Sequence, residues 1–334
     1  MTPSELLGGR YRIDRVAGHG GMATVFEAHD TVLNRAVAIK LLQRRHDATG
    51  VVEERFRREA LAEASLVHPN IVAVHDVGVH EDGRPFIVMD FVDGRSLAAL
   101  IAEGPVPSER VAAIGLAIAR ALAAAHEHGI IHRDVKPANI LIDQQGLPQL
   151  TDFGLARVAD DSELTIAGEL LGTAMYVAPE QARFGTCTAQ GDLYAFGAVL
   201  YHALAGAPPF EGAGAIDVAL RRFEEDPAPL QARVGDVDPA LAVLVHELLA
   251  REPAARPPSA AAVAERLGDI AARVRTERTS GDAVTPDTIS PAAVPGATGL
   301  AAPPPDVPLP NPSLLPADLW SGRDETAPEG VGPS

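Results

Sequence analysis

The sequence predicts an α+β fold in which a small, mostly antiparallel β region carrying one helix precedes a larger, mainly helical region. Residues 11 to about 92 form short runs of β-branched and aromatic residues separated by turns, interrupted by one segment, Val52 to Val67, with helical spacing. From about residue 93 onward helical patterns dominate. A third observation bears on chemistry. The stretch Ile131-His132-Arg133-Asp134-Val135-Lys136-Pro137-Ala138-Asn139-Ile140, followed by Asp152-Phe153-Gly154, gathers a candidate proton acceptor, two cations and two oxygen ligands suited to Mg²⁺.

Composition narrows the classes. The 334 residues are 46% hydrophobic, enough for a sizeable core. A formal net charge of −17 argues against attraction to nucleic acid or to an anionic membrane surface. The single Cys187 excludes an intramolecular disulfide framework, and no Cys/His spacing suggests a zinc site, so the expected compartment is reducing and cytoplasmic. The N-terminus has neither a basic nor an apolar region of the signal-peptide type. The longest apolar stretch, Val111 to Ala125, is broken by Arg120 and reads as a core helix, so no membrane segment is expected.

Taken in order, the strand runs Tyr11–Val16 and Thr24–Ala28 flank Ala17-Gly18-His19-Gly20-Gly21-Met22-Ala23. Glycines there let backbone amides approach phosphate oxygens, although an ordinary hairpin has the same appearance. A dinucleotide-binding reading fails because Val25-Phe26-Glu27 continues as a strand rather than opening a helix. Val37-Ala38-Ile39-Lys40-Leu41 is a buried-strand pattern with one lysine, which is costly to bury without a carboxylate partner. The helix that follows places Phe56, Ala60, Leu61 and Ala64 on its apolar side and offers Glu53, Glu54, Glu59 and Glu63.

A hairpin with its turn at Glu81-Asp82-Gly83-Arg84 returns through Phe86 to Val92. Ser108 is the expected N-cap of a long helix reaching His128, with Gly129 closing it. In the central stretch, a carboxylate that stays ionised can take the proton of an attacking hydroxyl, and Asp134 is the candidate. Lys136 can neutralise transferring phosphoryl oxygens, and Asn139 and Asp152 offer hard oxygen ligands.

These motifs, in this order, resemble the bacterial, actinobacterial branch of eukaryotic-like (Hanks-type) Ser/Thr protein kinases over about residues 10 to 270. The resemblance implies the two-lobed protein-kinase fold with Mg-ATP between the lobes. Residues 1–10 would be an N-terminal extension, 11–92 the N-lobe and 93–275 the C-lobe. It also implies transfer of the γ-phosphoryl group of ATP to Ser/Thr hydroxyls of proteins in bacterial signalling, including autophosphorylation, and allows a homodimer for phosphorylation in trans.

Residue by residue, the resemblance makes Lys40 the ligand of the α- and β-phosphates and Glu59, among the helix carboxylates, its partner. Glu63 and the other rivals are expected on a solvated face with Arg55, Arg57 and Arg58. Gly18, Gly20 and Gly21 would cover the phosphates, with Ala23 at the family's third glycine. Val16, Val25, Ala38 and Leu141 would sandwich the purine, Met89 would back it, and Asp90 and Val92 would offer backbone groups. Thr173 and Lys136 point to a Ser/Thr acceptor.

Arg133 would hold a phosphorylated Thr165, and Thr165-Ile166-Ala167 excludes control by a paired threonine. Glu180 would pair with Arg256, and Asp192 would tether the catalytic loop from below. Cys187 reads as inert and His132 as packed rather than acid–base. Residues 271–334 hold twelve of the 28 prolines, so 276–334 is expected to be a disordered, Pro-rich tail. The alternatives are a pseudokinase scaffold that binds nucleotide without transfer and a small-molecule phosphotransferase. Lys40, Asp134 and Asp152 stand against the first, the Gly172 to Glu180 segment against the second.

Overall fold

The structure is a computed structural model that describes residues 6–20, 23–43, 51–153, 175–212 and 214–281. Residues Met1–Val284 make one compact unit. Residues 276–281 of the expected Pro-rich tail instead continue a helix, and the rest of it lies outside the described residues.

A six-stranded sheet is built from β1 (Leu6–Leu7), β2 (Tyr11–His19), β3 (Ala23–Asp30), β4 (Arg35–Leu42), β5 (Val74–Val79) and β6 (Pro85–Asp90), in the order β1-β2-β3-β4-β6-β5. Neighbouring strands all pair antiparallel. Leu6 and Leu7 therefore do more than precede the domain: they add an edge strand, and Leu7 is buried. The hairpin between β5 and β6 turns as expected, with Gly83 at φ 88° donating its N–H to His80 O at 2.8 Å.

Strand alternation divides β4 between two apolar clusters. Val37, Ile39 and Leu41 pack with Tyr11, Phe26 and Phe86, while Ala38 and Leu42 pack with Phe56 and Ala60 of helix α1 (Val51–Ala64). Lys40, between Ala38 and Leu42, consequently lies on the α1 side of the sheet.

The apolar side of α1 differs from the expected one. Phe56 and Ala60 are buried, but Leu61 and Ala64 are exposed and Glu63 is 3% exposed. The buried face runs through Phe56, Ala60 and Glu63, at i, i+4 and i+7, so the reading of Glu63 as a solvated residue is corrected.

The helical region holds α2 (Leu97–Ile101), α3 (Ser108–Glu127), α4 (Pro179–Phe184), α5 (Ala189–Ala205), α6 (Ala215–Glu224), α7 (Leu230–Arg233), α8 (Pro239–Leu248) and α9 (Ala260–Gly281). A small sheet of β7 (Gly94–Ser96), β8 (Ile140–Asp143) and β9 (Pro148–Leu150) lies beside α3. The long apolar stretch at 111–125 is indeed a core helix, with Val111, Ile118 and Leu122 buried. Its N-cap is Pro107 rather than Ser108, whose hydroxyl instead donates to Asp236 O at 3.1 Å. Ser259 caps α9, accepting the Ala262 N–H at 3.2 Å.

Helices α5 and α8 approach closely enough at Gly197 that an added Cβ would lie 2.6 Å from Leu248 Cβ. Among the described residues, no helix is long and apolar enough to cross a membrane.

Candidate active site

The loop before β8 is fixed from beneath by the first turn of α5. Asp192, 2% exposed, accepts the N–H of His132 and of Arg133, each at 2.8 Å, and lies 2.8 Å from His126 Nε2. Arg133 has φ 70°, a left-handed backbone that costs a non-glycine residue energy. The two bonds from Asp192 hold it there.

His132 is fully buried and works as a brace. Its Nε2 donates to Thr151 O at 3.0 Å, and its Nδ1 accepts the Asp134 N–H at 3.2 Å, a pattern that requires the neutral ring. Burial pushes its pKa down, against the pull of Asp192 and Asp134.

Asp134, Lys136 and Asn139 are brought together. Lys136 Nζ lies 2.7 Å from Asp134 Oδ2, and Asn139 Nδ2 donates to the same oxygen at 3.1 Å and to Asp134 O at 2.8 Å. With its nitrogen thus committed, Asn139 has its amide oxygen left to face a cation. Thr151 N–H, donating to Asn139 O at 3.0 Å, ties this loop to the Asp152 segment.

Asp152 also has a left-handed backbone, φ 67°, and its Oδ1 lies 2.8 Å from Lys40 Nζ. Burial pushes its carboxyl up, but Lys40 outweighs this and holds it below the ordinary carboxylate range. The carboxylate found against Lys40 is thus Asp152, while the side chain of Glu59 lies outside the described residues.

Sequence reasoning missed Glu63. Its carboxyl group lies beside Lys40, Asp152 and the Phe153 backbone. Burial and the Asp152 charge push its pKa up to about 8. The i, i+4, i+7 spacing from Phe56 was the available signal. Phe153 is itself buried and packs its ring 4.5 Å from that of His132.

The expected purine contacts are partly assembled. Ala38 and Met89 belong to one buried cluster, and Val25, Val92 and Leu141 pack against it. Val16 stands apart on β2, 45% exposed. Asp90 donates its N–H to Ala73 O at 2.9 Å, so its carbonyl is the backbone group it can offer. Thr151, also unforeseen, points its hydroxyl to Met89 Sδ at 3.9 Å.

Gly18 faces open space, and Gly20 donates to Ala23 O at 2.9 Å. Among the described residues, positive φ outside glycine is confined to Asn34, Arg133 and Asp152, so Ala23 replaces a glycine without strain. Gly21, Thr165 and Thr173 lie outside the described residues.

Glu180 and Arg256 meet in two parallel bonds, Nη1 to Oε1 at 2.6 Å and Nη2 to Oε2 at 2.8 Å. The Arg256 side chain is wholly buried, donates to the carbonyls of Ala250, Gln190 and Arg251, and lies over the Tyr194 ring.

The donor set suits Mg²⁺. That ion takes few protein ligands and completes its shell with water and phosphate oxygens, and Asn139 and Asp152 supply hard oxygens from segments joined by the Thr151 N–H to Asn139 O bond.

The sequence matches the protein kinase domain family over residues 11–267. It is 40% identical to a probable serine/threonine-protein kinase, pknA2, of Bifidobacterium longum, over 82% of this chain and 37% of the relative. It is 42% identical to the probable serine/threonine-protein kinase PknB of Corynebacterium glutamicum, over 81% and 45% of the two chains. It is 43% identical to the serine/threonine-protein kinase PrkC of Bacillus subtilis, over 68% and 35%.

The chain thus spans less than half the length of these relatives. The crystal structure of the PknI kinase domain of Mycobacterium tuberculosis superimposes with a TM-score of 0.65 at 29% identity, covering 81% of this chain and 99% of that one. A structure of Rad53 bound to AMP-PNP gives a TM-score of 0.64 at 29% identity, over 77% and 64%.

Proposed function

Since this chain belongs to the protein kinase domain family, we propose that it is a serine/threonine protein kinase that transfers the γ-phosphoryl group of ATP to protein hydroxyls. The observation that carries the proposal is the Asp134 carboxylate, held by Lys136 at 2.7 Å and Asn139 at 3.1 Å on a loop whose backbone Asp192 fixes.

In this reading Asp134 orients the acceptor hydroxyl and takes its proton at a carboxylate oxygen. Lys136, already beside that carboxylate, sits where it can also face the transferred phosphoryl oxygens. Lys40, turned toward α1 by the pleat of β4, binds the α- and β-phosphates, and the glycine-rich turn around Gly18 and Gly20 covers them, with the Gly20 N–H held by Ala23 O. Asn139 and Asp152 hold Mg²⁺, which when bound draws charge from the phosphate oxygens. Ala38, Val25, Leu141 and Met89 provide the apolar walls for the purine. Glu180, Arg256 and Asp192 serve structural roles, bracing the loops around the site.

The acceptor class follows from Lys136 and Thr173 together with the names of the relatives. The substrates are proteins bearing Ser or Thr, a second copy of the chain among them, and the dependence on ATP places the reaction in the cytoplasm. Arg133 receives phosphorylated Thr165. Incubation with Mg-ATP followed by phosphopeptide mass spectrometry tests the reading: phosphate on Ser and Thr, with Thr165 among them, supports it, and a chain that acquires none refutes it.

A further inference from the structure

Strand β5 carries one residue more than its partner needs. Val74 pairs with Met89 and Asp76 with Val88, so His75 is an extra residue, a β-bulge, in the ladder between β5 and β6. The bulge breaks the alternation of the strand. Val74 and Val77, three positions apart, both pack against the cluster on the α1 side of the sheet, whereas Asp76 accepts the hydroxyl of Tyr11, from the opposite cluster, at 2.7 Å. His75 shares the face of Asp76, because it meets Asp90, which follows the α1-facing Met89 and points the other way.

There His75 Nε2 lies 2.5 Å from Asp90 Oδ1. An ionised carboxylate only accepts, so the ring nitrogen is the donor. Asp90 is the last residue of β6, and its N–H is already taken by Ala73 O at 2.9 Å. The backbone of Asp90 and its side chain are thus both tied to the β5 segment, which leaves its carbonyl as the group offered to a purine. A bulge interrupts ladder bonds, and this one aims a side chain at the end of the neighbouring strand.

We propose that His75 is a positioning residue for nucleotide recognition: by holding the Asp90 carboxylate from the far face of the sheet, it sets the orientation of the Asp90 carbonyl that accepts the exocyclic amine of adenine. The proposal deepens the phosphotransfer reading and rests on it, because that reading places the purine against Ala38, Met89, Val25 and Leu141. Those residues belong to or pack against the α1-side cluster, so His75 acts through Asp90 and not on the nucleotide. The two side chains are 23% and 46% exposed, and an ion pair this open contributes only a few-fold in affinity.

The test compares His75→Phe, a ring that cannot donate, and His75→Gln, whose amide can, with the unaltered full-length chain. Calorimetry measures binding of Mg-ADP and of Mg-purine riboside diphosphate, which lacks the 6-amino group; neither can transfer a γ-phosphoryl group. The unaltered chain prefers ADP. His75→Phe binds ADP about three- to fivefold more weakly and the analogue equally well, so the preference shrinks, and His75→Gln restores most of it. In the transfer assay the KM for ATP rises by the same factor in His75→Phe while kcat holds.

Unchanged ADP binding in His75→Phe overturns the proposal. So does an equal loss for both nucleotides, which marks a general disturbance of the sheet, and so does an unaltered chain that binds the two alike. If the unaltered chain prefers ADP but transfers no phosphate from ATP, the phosphotransfer reading fails, and the two binding constants still decide whether His75 positions Asp90.

Discussion

Lys40 Nζ and Asp152 Oδ1 lie 2.8 Å apart, joining the central β4 strand to the segment after β9. Each is a group that burial penalises, and each relieves the other. In the proposed reaction both must also serve phosphate and metal. Lys40→Met is therefore expected to lower phosphotransfer at least 100-fold, while the circular dichroism spectrum stays that of the unaltered chain. Transfer within tenfold of normal would remove Lys40 from the phosphate site.

Arg256 makes its paired bonds to Glu180 with no exposure to solvent and satisfies three carbonyls besides. Truncation strands a partly buried carboxylate and those carbonyls together. Arg256→Ala should cost roughly 3–5 kcal/mol in urea unfolding. Arg256→Lys should recover only part of this, because an ammonium cannot reproduce the planar fork. A loss below about 1 kcal/mol for the alanine variant would contradict the structural role.

Gly197 allows α5 and α8 to touch, with only 2.6 Å between its added Cβ and Leu248 Cβ. Neither helix can yield without disturbing the buried Leu244 and Val245. Gly197→Ala is expected to destabilise by roughly 1–3 kcal/mol despite the better helix propensity of alanine. An unchanged or higher melting temperature would show that the contact relaxes freely.

Two histidines away from the site set an acid limit to stability. His246 Nε2 accepts the Leu230 N–H at 3.2 Å, and His202 Nδ1 lies 2.7 Å from Tyr176 Oη. Burial pushes both pKa values below the ordinary 6.5. Below that value the unfolded chain binds protons that the folded chain refuses, so stability is intact above pH 6.5 and falls as pH drops toward the folded pKa values. Urea midpoints measured between pH 7.5 and 5 should decline, and less steeply in His202→Gln/His246→Gln. Parallel declines in both proteins would exclude these histidines as the cause.

Much of the site was legible because its chemistry is local. Asp134, Lys136 and Asn139 sit within six residues, and their contacts follow from a loop that closes on itself. Strand alternation likewise put Lys40 on the α1 side of β4. What escaped was decided by packing from elsewhere. Glu63 was assigned to water because a carboxylate is costly to bury, and only the fold shows it buried beside Lys40, Asp152 and the Phe153 backbone. Ser108 has the chemistry of a cap, yet Asp236 accepts its hydroxyl. Val16 follows a register shift of β2 between Ile13 and Arg15 and stands outside the apolar cluster it was expected to join.

The most direct test of the account is the rate of phosphate transfer from labelled Mg-ATP to a Ser/Thr substrate protein by the unaltered chain and by Asp134→Asn. The asparagine preserves the size of the side chain but cannot take the hydroxyl proton. The account predicts measurable transfer by the unaltered chain and a rate lowered by about 100-fold or more in the variant, with both melting at the same temperature. Equal rates in the two proteins would contradict it.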